Sequence, residues 1–224
     1  MATTPTPPTP PQPAAAAGAV AYPVLFDVEY PDRKLNRVTT FFRLLLAIPV
    51  LILLGLLQQT MSSTSTDYSA TLLAAGGIIF VPTVLLLLCR HRYPRWWFDF
   101  NTQLLAFGYR VSIYTLFMND EYPSTEDPQT LRLTVPYPNA KEELSRGLPL
   151  VKWLLAFPHY IVLGFLWIAL LVVVTIAWFA ILFTGRYPRG MFDFVVGVLR
   201  WSTRVTCYAF LLTTDHYPPF SLKS

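Results

Sequence analysis

The feature that most constrains this chain is an almost unbroken apolar stretch from Leu148 to Phe183. Because about 20 helical residues cross a hydrocarbon core of about 30 Å, this stretch is too long for a single membrane span. Shorter apolar segments precede it at Phe41–Leu57 and Leu72–Cys89. Only 13% of the residues are charged, whereas soluble domains carry about 25%. The sequence therefore predicts an integral membrane protein rather than a water-soluble one.

A related motif occurs twice, each time directly after an apolar segment. It reads HRYPRWWFDF at residues 91–100 and GRYPRGMFDF at residues 185–194. Further matches keep the same order on both sides of these motifs, which predicts an internal duplication. Repeat 1 covers residues 22–126 and repeat 2 covers residues 127–224. The matched positions are Tyr30 and Tyr137, Arg43 and Lys152, Pro49 and Pro158, Asp99 and Asp193, Arg110 and Arg204, Tyr114 and Tyr208, and Tyr122 and Tyr217.

The amino-terminal segment, residues 1–21, is rich in proline, threonine and alanine. It contains neither the basic region nor the apolar core of a signal peptide. A segment of this composition cannot bury enough apolar surface to order itself, so it is predicted to be a disordered tail.

A polar insert, QQTMSSTSTDYSA, divides the apolar part of repeat 1 and has no counterpart in repeat 2. The apolar stretch of repeat 2 is therefore predicted to fold as a tight helical hairpin that turns near Gly164 to Trp167. Each repeat then contributes two membrane helices, four in all. Since the insert lacks Lys and Arg, the positive-inside rule predicts that it lies outside, with both RYPR segments and the amino terminus in the cytoplasm. The predicted location is the inner (plasma) membrane.

A short alternating segment precedes each predicted hairpin, YPVLFDVEYP in repeat 1 and LRLTVPYP in repeat 2. Apolar residues recurring with period two predict β-strands. Because the two segments are equivalent, the strands are expected to pair into a small cytoplasmic ribbon. The residues that share one face are Val24, Phe26 and Val28 in repeat 1 and Leu131, Leu133 and Val135 in repeat 2.

The RYPR motifs contain the residue types that end a helix at a membrane surface. Proline lacks a backbone N–H and disfavours helical geometry in the residue before it. Tyrosine, tryptophan and arginine prefer the headgroup layer, where arginine attracts anionic lipids. Generic headgroup anchoring is the preferred interpretation, and binding of a specific acidic lipid is the alternative. The predicted anchoring residues are Arg90, Arg92, Tyr93, Arg95, Trp96, Trp97, Arg186, Tyr187 and Arg189.

A further helix is predicted after each motif, over residues 98–118 and 192–212, with a narrow polar stripe. One interpretation is an amphipathic helix in the interface; the other is a third membrane span whose stripe faces that of the other repeat. The interfacial one is preferred, because spanning helices would invert repeat 2 and bury Arg110 near the bilayer centre. Pairs four residues apart, such as Arg95 with Asp99 and Arg189 with Asp193, are candidate ion pairs. The stripe residues are Asp99, Arg110, Tyr114, Asp193, Arg204 and Tyr208.

Groups suited to catalysis or metal binding are sparse. The chain has no GxSxG, HExxH, Walker or GxGxxG motif. Its histidines are scattered, and Cys89 and Cys207 lack metal-site spacing, so no metal, cofactor or disulfide is expected. His159 follows Pro158 in an apolar segment and could be a buried polar contact; simple helix packing, or a hydrogen bond to a neighbouring carbonyl, is the preferred interpretation. The basic residues gather where apolar segments end, so nucleic acid is not an expected partner.

At this point the chain resembles the bacterial membrane-protein family called domain of unknown function 4389. The resemblance rests on LLAFPHYIVLGFL, RYPRGMFDFVVGVLRWSTRV and DHYPPFSL in repeat 2, and more loosely on repeat 1. It extends over about residues 22–222. It implies a multi-pass bacterial membrane protein and brings no catalytic or ligand-binding residues.

These observations predict an all-α membrane protein with four transmembrane helices in two tandem hairpins. Each hairpin has a short strand before it and an interfacial amphipathic helix after it. The predicted function is that of a non-enzymatic structural or accessory subunit, whose partners are anionic lipids and other membrane subunits or further copies of itself. A small transporter or channel for a lipid or ion is the alternative, with the polar stripes as its path. A lipid-modifying membrane enzyme is a weaker alternative.

Overall fold

The computed structural model describes residues 22–223 except 32, 60–76, 126 and 128. The predicted disordered tail and most of the polar insert lie outside the described residues. The described part is mostly helical, with one small sheet. Its elements are β1 (Leu25–Val28), α1 (Arg37–Gln59), α2 (Gly77–Leu85), α3 (Arg95–Thr115), β2 (Leu131–Thr134), α4 (Lys152–Leu155), α5 (Phe157–Thr184) and α6 (Arg189–Thr206), with π-helical turns at Leu86–Arg90 and Cys207–Leu211 and a 3-10 turn at Leu148–Leu150.

The two strands form an antiparallel ribbon, which confirms both the predicted strands and their pairing. Val24, Phe26 and Val28 point inward and are at most 5% exposed, whereas Leu25 between them is 56% exposed. This alternation is the one that the sequence pattern predicts, because successive side chains of a strand point to opposite faces.

The amphipathic helices α3 and α6 lie between the ribbon and the apolar helices. Arg200 of α6 donates to the carbonyl of Phe26 over 2.8 Å. The Phe26 ring also meets Tyr109 of α3 edge to face at 5.0 Å. Each of these helices in turn packs against an apolar helix, α3 against α1 and α6 against α5.

The helix α5 runs from Phe157 to Thr184 without a break, so the hairpin turn predicted near Gly164 to Trp167 is wrong. The physical reason lies in its composition. Between His159 and Phe183 it has no Pro, Asn or Asp and a single glycine. Nothing there favours a turn over continued helical hydrogen bonding. The helix is interrupted instead before Pro158, which occupies its first turn, where proline is well tolerated.

Two described helices are long and apolar enough to cross a membrane, at Arg37–Gly55 and Phe157–Thr184, instead of the four predicted. Phe80–Arg90 is a shorter apolar helix. In each candidate only 22% of the most apolar window is buried. A core helix of a soluble protein is mostly buried, so this low burial favours a membrane environment over a soluble core.

Candidate functional site

The predicted surface anchors divide into exposed and buried side chains. The arginines are exposed, as is Trp96 at 69%. Tyr93 and Tyr187 are only 3% and 1% exposed, so both rings pack inside the protein rather than on its surface. Burial raises the pKa of the Tyr93 hydroxyl to about 12. The two tyrosines are core residues that fix the turn, and the arginines around them form the surface.

The first Tyr-Pro pair packs against the RYPR motif of the other repeat. The Tyr30 hydroxyl donates to the carbonyl of Tyr187. Its ring meets Phe192 edge to face at 5.0 Å. The guanidinium of Arg189 lies 4.4 Å from the centre of the Tyr30 ring. We call these four residues the Tyr30 junction.

The second Tyr-Pro pair makes the matching contacts with the RYPR motif of repeat 1. The Tyr137 hydroxyl donates to the carbonyl of Tyr93. Its ring meets Phe98 edge to face at 5.2 Å. The guanidinium of Arg95 lies 5.3 Å from the centre of the Tyr137 ring. We call these four residues the Tyr137 junction, in which every contact again joins one repeat to the other.

The local sequence explains why these carbonyls are available. His91 and Gly185 adopt left-handed conformations, with φ of 48° and 73°, and end the preceding helices. Pro94 and Pro188 are extended, so α3 and α6 begin directly at the following arginines, three residues earlier than predicted. In such a turn the tyrosine carbonyl has left one helix without entering the next, and an outside donor must satisfy it. The hydroxyl of the other repeat does so.

A basic cleft opens beside each junction. The Tyr137 cleft has a volume of about 650 Å³ and the Tyr30 cleft about 210 Å³. The basic lining residues are Arg90, Arg92, Arg95 and Lys141 in the Tyr137 cleft and Arg33, Arg186 and Arg189 in the Tyr30 cleft.

A buried ion pair ties α1 to the loop after α3. The Arg43 side chain is fully buried and pairs with Asp120. The Asp120 carboxylate also accepts from the backbone N–H of Asn36 over 2.8 Å. The guanidinium lies 5.0 Å from the ring centre of Tyr114. Tyr114, a residue of the predicted polar stripe, therefore contacts Arg43, which was not predicted to be part of that stripe.

The same arrangement recurs in repeat 2. Lys152 is fully buried, and its Nζ lies 2.6 Å from a carboxylate oxygen of Asp215. Asp215 also accepts from the backbone N–H of Ser145 over 2.8 Å. The Lys152 ammonium lies 5.2 Å from the ring centre of Tyr208. Burial lowers the pKa of Lys152, and the bonded Asp215 carboxylate opposes that shift.

The sequence prediction missed both carboxylates. Asp120 and Asp215 each stand two residues before a Tyr-Pro pair, in NDEYP and TDHYP. Arg43 and Lys152 also occupy matched positions in the two predicted repeats. The sequence therefore contains a matched pair of cations and a matched pair of acids. What the sequence lacks is the antiparallel packing of α1 on α3 and of the α4–α5 segment on α6, which brings these distant residues together.

The polar stripe is divided rather than assembled. Asp99 and Asp193 are exposed, and within the described residues neither forms the predicted ion pair with Arg95 or Arg189. Arg110 and Arg204 are only 6% and 4% exposed. Burial lowers the pKa of the Arg110 side chain, and the carboxylate of Asp127 opposes that shift.

The two buried arginines fasten the loops that follow their helices. Arg110 donates to the carbonyl of Ser124 over 3.0 Å. Arg204 donates to the carbonyl of Ser221 over 3.4 Å. Their guanidinium groups therefore have a structural task at the ends of the two repeats.

His159 is fully buried at the start of α5, as its apolar surroundings predict. Its Nδ1 accepts from the indole N–H of Trp201 over 3.2 Å. Phe220 stacks on the imidazole at 4.0 Å between ring centres. These contacts hold α5, α6 and the carboxyl-terminal segment together.

Residues 149–221 match the family described as Domain of unknown function (DUF4389), which confirms the resemblance to this family within repeat 2. The matched segment contains α5, the second RYPR motif, and both partners of the Lys152–Asp215 ion pair. No curated protein matches the chain, and no solved structure does.

Proposed function

We propose that the protein is an integral membrane protein with a non-enzymatic structural or accessory role, embedded in the bilayer through the exposed apolar faces of α1 and α5. The supporting observation is the amount of apolar surface that these helices leave open. The cytoplasmic side, formed by the ribbon and the junctions, would then be available to partner subunits.

The exposed apolar surface of α5 is the main support for the proposed membrane embedding. One stripe of the helix is buried, whereas large apolar side chains on its other faces are open: Phe165 is 70% exposed and Phe183 is 78% exposed. Soluble monomers rarely expose contiguous apolar patches larger than a few hundred Å². A bilayer removes this surface from water at a gain of roughly 25 cal/mol per Å². The buried stripe consists of His159, Leu163, Leu170, Val174, Ala177 and Ile181.

The helix α1 repeats this pattern. Ala47 and Val50 pack against α3, together with the buried Arg43. Leu44 and Leu45, on the other faces, are 61% and 63% exposed. Both apolar helices therefore use one side for internal contacts and offer the rest to lipid.

The ribbon supports a proposal about orientation. Its charged side chains Asp27, Glu29 and Arg132 are between 63% and 77% exposed, which requires contact with water. The Tyr30 and Tyr137 junctions follow directly after the two strands. Both RYPR motifs would then lie on the ribbon side, which the positive-inside rule assigns to the cytoplasm.

The same geometry bears on how α5 lies in the membrane. The helix α6 starts at Arg189 in the Tyr30 junction, and the turn that follows it reaches the Tyr137 junction, where Leu211 accepts from Tyr93 over 2.9 Å. It packs beside α5 between these two points. We therefore propose that both ends of α5 return to the ribbon side and that α5 lies along the cytoplasmic leaflet rather than crossing it.

The matched contacts of the Tyr30 and Tyr137 junctions support the proposal of an internal duplication.

The buried charges favour a structural role over a transporter, a channel or a lipid-modifying enzyme. Arg43 and Lys152 are paired with carboxylates, and Arg110 and Arg204 with backbone carbonyls. Groups that move an ion or a proton need an open path. The four buried cations instead hold segments of the chain together.

The test uses lysine substitutions at exposed apolar positions. In water an exposed lysine is tolerated, whereas its charge is unfavourable in the apolar part of a bilayer. We expect Phe165→Lys to reduce strongly the amount of protein that stays in the membrane fraction after an alkaline wash. Leu25→Lys on the ribbon, at a leucine that is 56% exposed, is the matched control and should have no effect. Equal behaviour of the two variants would refute membrane embedding through α5.

A further inference from the structure

Among the described residues, the cations that line the two basic clefts form no ion pair. Within the described residues, the ion pairs involve Arg43, Arg132, Lys152 and Arg200, none of which lines a cleft. The described lining of both clefts contains no Asp or Glu. The described lining of the two clefts therefore carries only positive formal charge, while the carboxylates of Glu142 and Glu143 accept from Asn139 at the edge of the Tyr137 cleft.

One arginine in each cleft is already oriented. Arg189 stacks on Tyr30 and Arg95 stacks on Tyr137, at 4.4 and 5.3 Å from the ring centres. Stacking holds the guanidinium plane in place through its face and leaves its N–H groups free. A planar fork of donors held in this way matches the oxygens of a phosphate group, which it can bind through two parallel hydrogen bonds.

The surroundings of the larger cleft combine charge with apolar surface. Leu86, the first residue of the π-helical turn after α2, lines the Tyr137 cleft beside its arginines. The exposed Trp96 follows Arg95 directly, and tryptophan prefers the interface between lipid and water. If the protein is embedded as proposed above, this cleft opens at headgroup level.

We propose that the Tyr137 cleft and the Tyr30 cleft are matched binding sites for a phosphate-bearing anion, presented by a lipid headgroup or as free phosphate. The sites are specific in geometry, because each depends on an arginine stacked on the Tyr-Pro tyrosine of the other half of the chain. The volume of about 650 Å³ gives the Tyr137 cleft room for a headgroup with two phosphates, whereas the Tyr30 cleft, at about 210 Å³, fits a single phosphate. This inference rests on the membrane embedding proposed above only for the lipid as source.

The experiment compares a cleft variant with a charge-matched control. Arg95→Gln combined with Arg189→Gln removes the stacked arginine from both clefts. Arg132→Gln combined with Arg146→Gln removes two exposed arginines elsewhere. Each full-length variant is reconstituted in nanodiscs of phosphatidylcholine alone or with phosphatidylglycerol or cardiolipin, and lipid retained on the protein is measured by native mass spectrometry. Pyrophosphate binding to the detergent-solubilised protein is measured by calorimetry.

We expect the cleft variant to retain anionic lipid roughly tenfold less than the wild type, because hydrogen bonds to charged groups are the strong ones. The control variant should stay near the wild-type level. If the cleft variant loses anionic lipid and the wild-type protein does not bind pyrophosphate, the clefts are supported as lipid-headgroup sites. Pyrophosphate binding that the cleft variant loses supports them as sites for a soluble phosphate.

Equal loss in both variants would overturn the inference, since it would mean that only net charge matters. Arg95→Lys combined with Arg189→Lys keeps the charge but not the planar fork, and an intermediate affinity is expected. Wild-type affinity in that variant would also overturn the geometric claim. Failure to incorporate into phosphatidylcholine nanodiscs would instead contradict the membrane proposal, so the two failures are distinguishable.

Discussion

Phe26 on β1 lies directly opposite Leu133 on β2. Each stands four positions before the tyrosine of its own Tyr-Pro pair, so the two occupy equivalent positions in the two predicted repeats. The Tyr30 junction follows one strand of this pair and the Tyr137 junction follows the other. In each junction the tyrosine hydroxyl donates to the carbonyl of a tyrosine in the RYPR motif of the other half of the chain.

The same correspondence explains the long helix α5. The chain from Arg43 to the first RYPR motif is longer than the chain from Lys152 to the second, by about the length of the polar insert. With the insert set aside, α1 and α2 correspond to successive parts of α5. The continuous α5 therefore contradicts the prediction of a helical hairpin shared by both repeats.

The buried ion pairs are expected to be strong contributors to stability. Removing one partner of a buried pair leaves an uncompensated charge and costs about 3–5 kcal/mol. Because Asp120 and Asp215 are 17% and 19% exposed, we expect the lower end of that range for Asp120→Asn and for Asp215→Asn. Chemical unfolding of the detergent-solubilised chain, followed by circular dichroism, measures the free energy of unfolding.

Asp99→Asn is the control for these variants, since Asp99 is an exposed aspartate with no ion pair among the described residues. It should change the free energy of unfolding by less than about 0.5 kcal/mol. Comparable effects of Asp99→Asn and Asp120→Asn would contradict the structural role of the buried pairs.

The ribbon and the amphipathic helices could be predicted from the sequence because both leave a local periodic pattern. Val24, Phe26 and Val28 alternate with polar or exposed residues, and the proline of each RYPR motif ends a helix whatever the rest of the chain does. The course of α5 could not be predicted, since a uniformly apolar segment has the same pattern as a straight helix and as a hairpin. The pairs of Arg43 with Asp120 and of Lys152 with Asp215 depend on helix packing between distant residues, which no local pattern reports.

The junction tyrosines should contribute equally to stability. Tyr30→Phe and Tyr137→Phe each remove the hydroxyl that satisfies a carbonyl of the other repeat. Leaving such an acceptor unpaired costs about 1–3 kcal/mol, and the effects should add because the two sites share no partner. Thermal unfolding of both single variants and the double variant measures this, with Tyr122→Phe, at a tyrosine that is 51% exposed, as the control. A double variant no less stable than either single one would contradict two independent junctions.

Deprotonation of the buried Tyr93 hydroxyl is expected to lower the stability of the folded protein at alkaline pH. Burial raises its pKa from 10.0 to about 12, and its hydroxyl donates to the carbonyl of Leu211. The folded state therefore holds this proton more tightly than the unfolded state does. Its contribution is fully present below pH 10 and is lost as pH rises from 10 towards 12, by up to about 1.4 kcal/mol per pH unit. Unfolding measured across this window should show a shallower fall in Tyr93→Phe; an identical slope in the two proteins would contradict the assignment.

The two ends of α5 are expected on the same side of the membrane. Single cysteines replace Arg146 and Arg186, exposed residues before and after the helix, in a Cys89→Ser background where the remaining Cys207 is fully buried. Leu25→Cys on the ribbon serves as the reference for the cytoplasmic side. Because α6 runs beside α5 from one junction to the other, a membrane-impermeant maleimide should label all three positions in inside-out vesicles and none in right-side-out vesicles. Labelling of the Arg146 and Arg186 positions from opposite sides would show that α5 crosses the bilayer. The ribbon and the two junctions would then not lie parallel to the membrane surface.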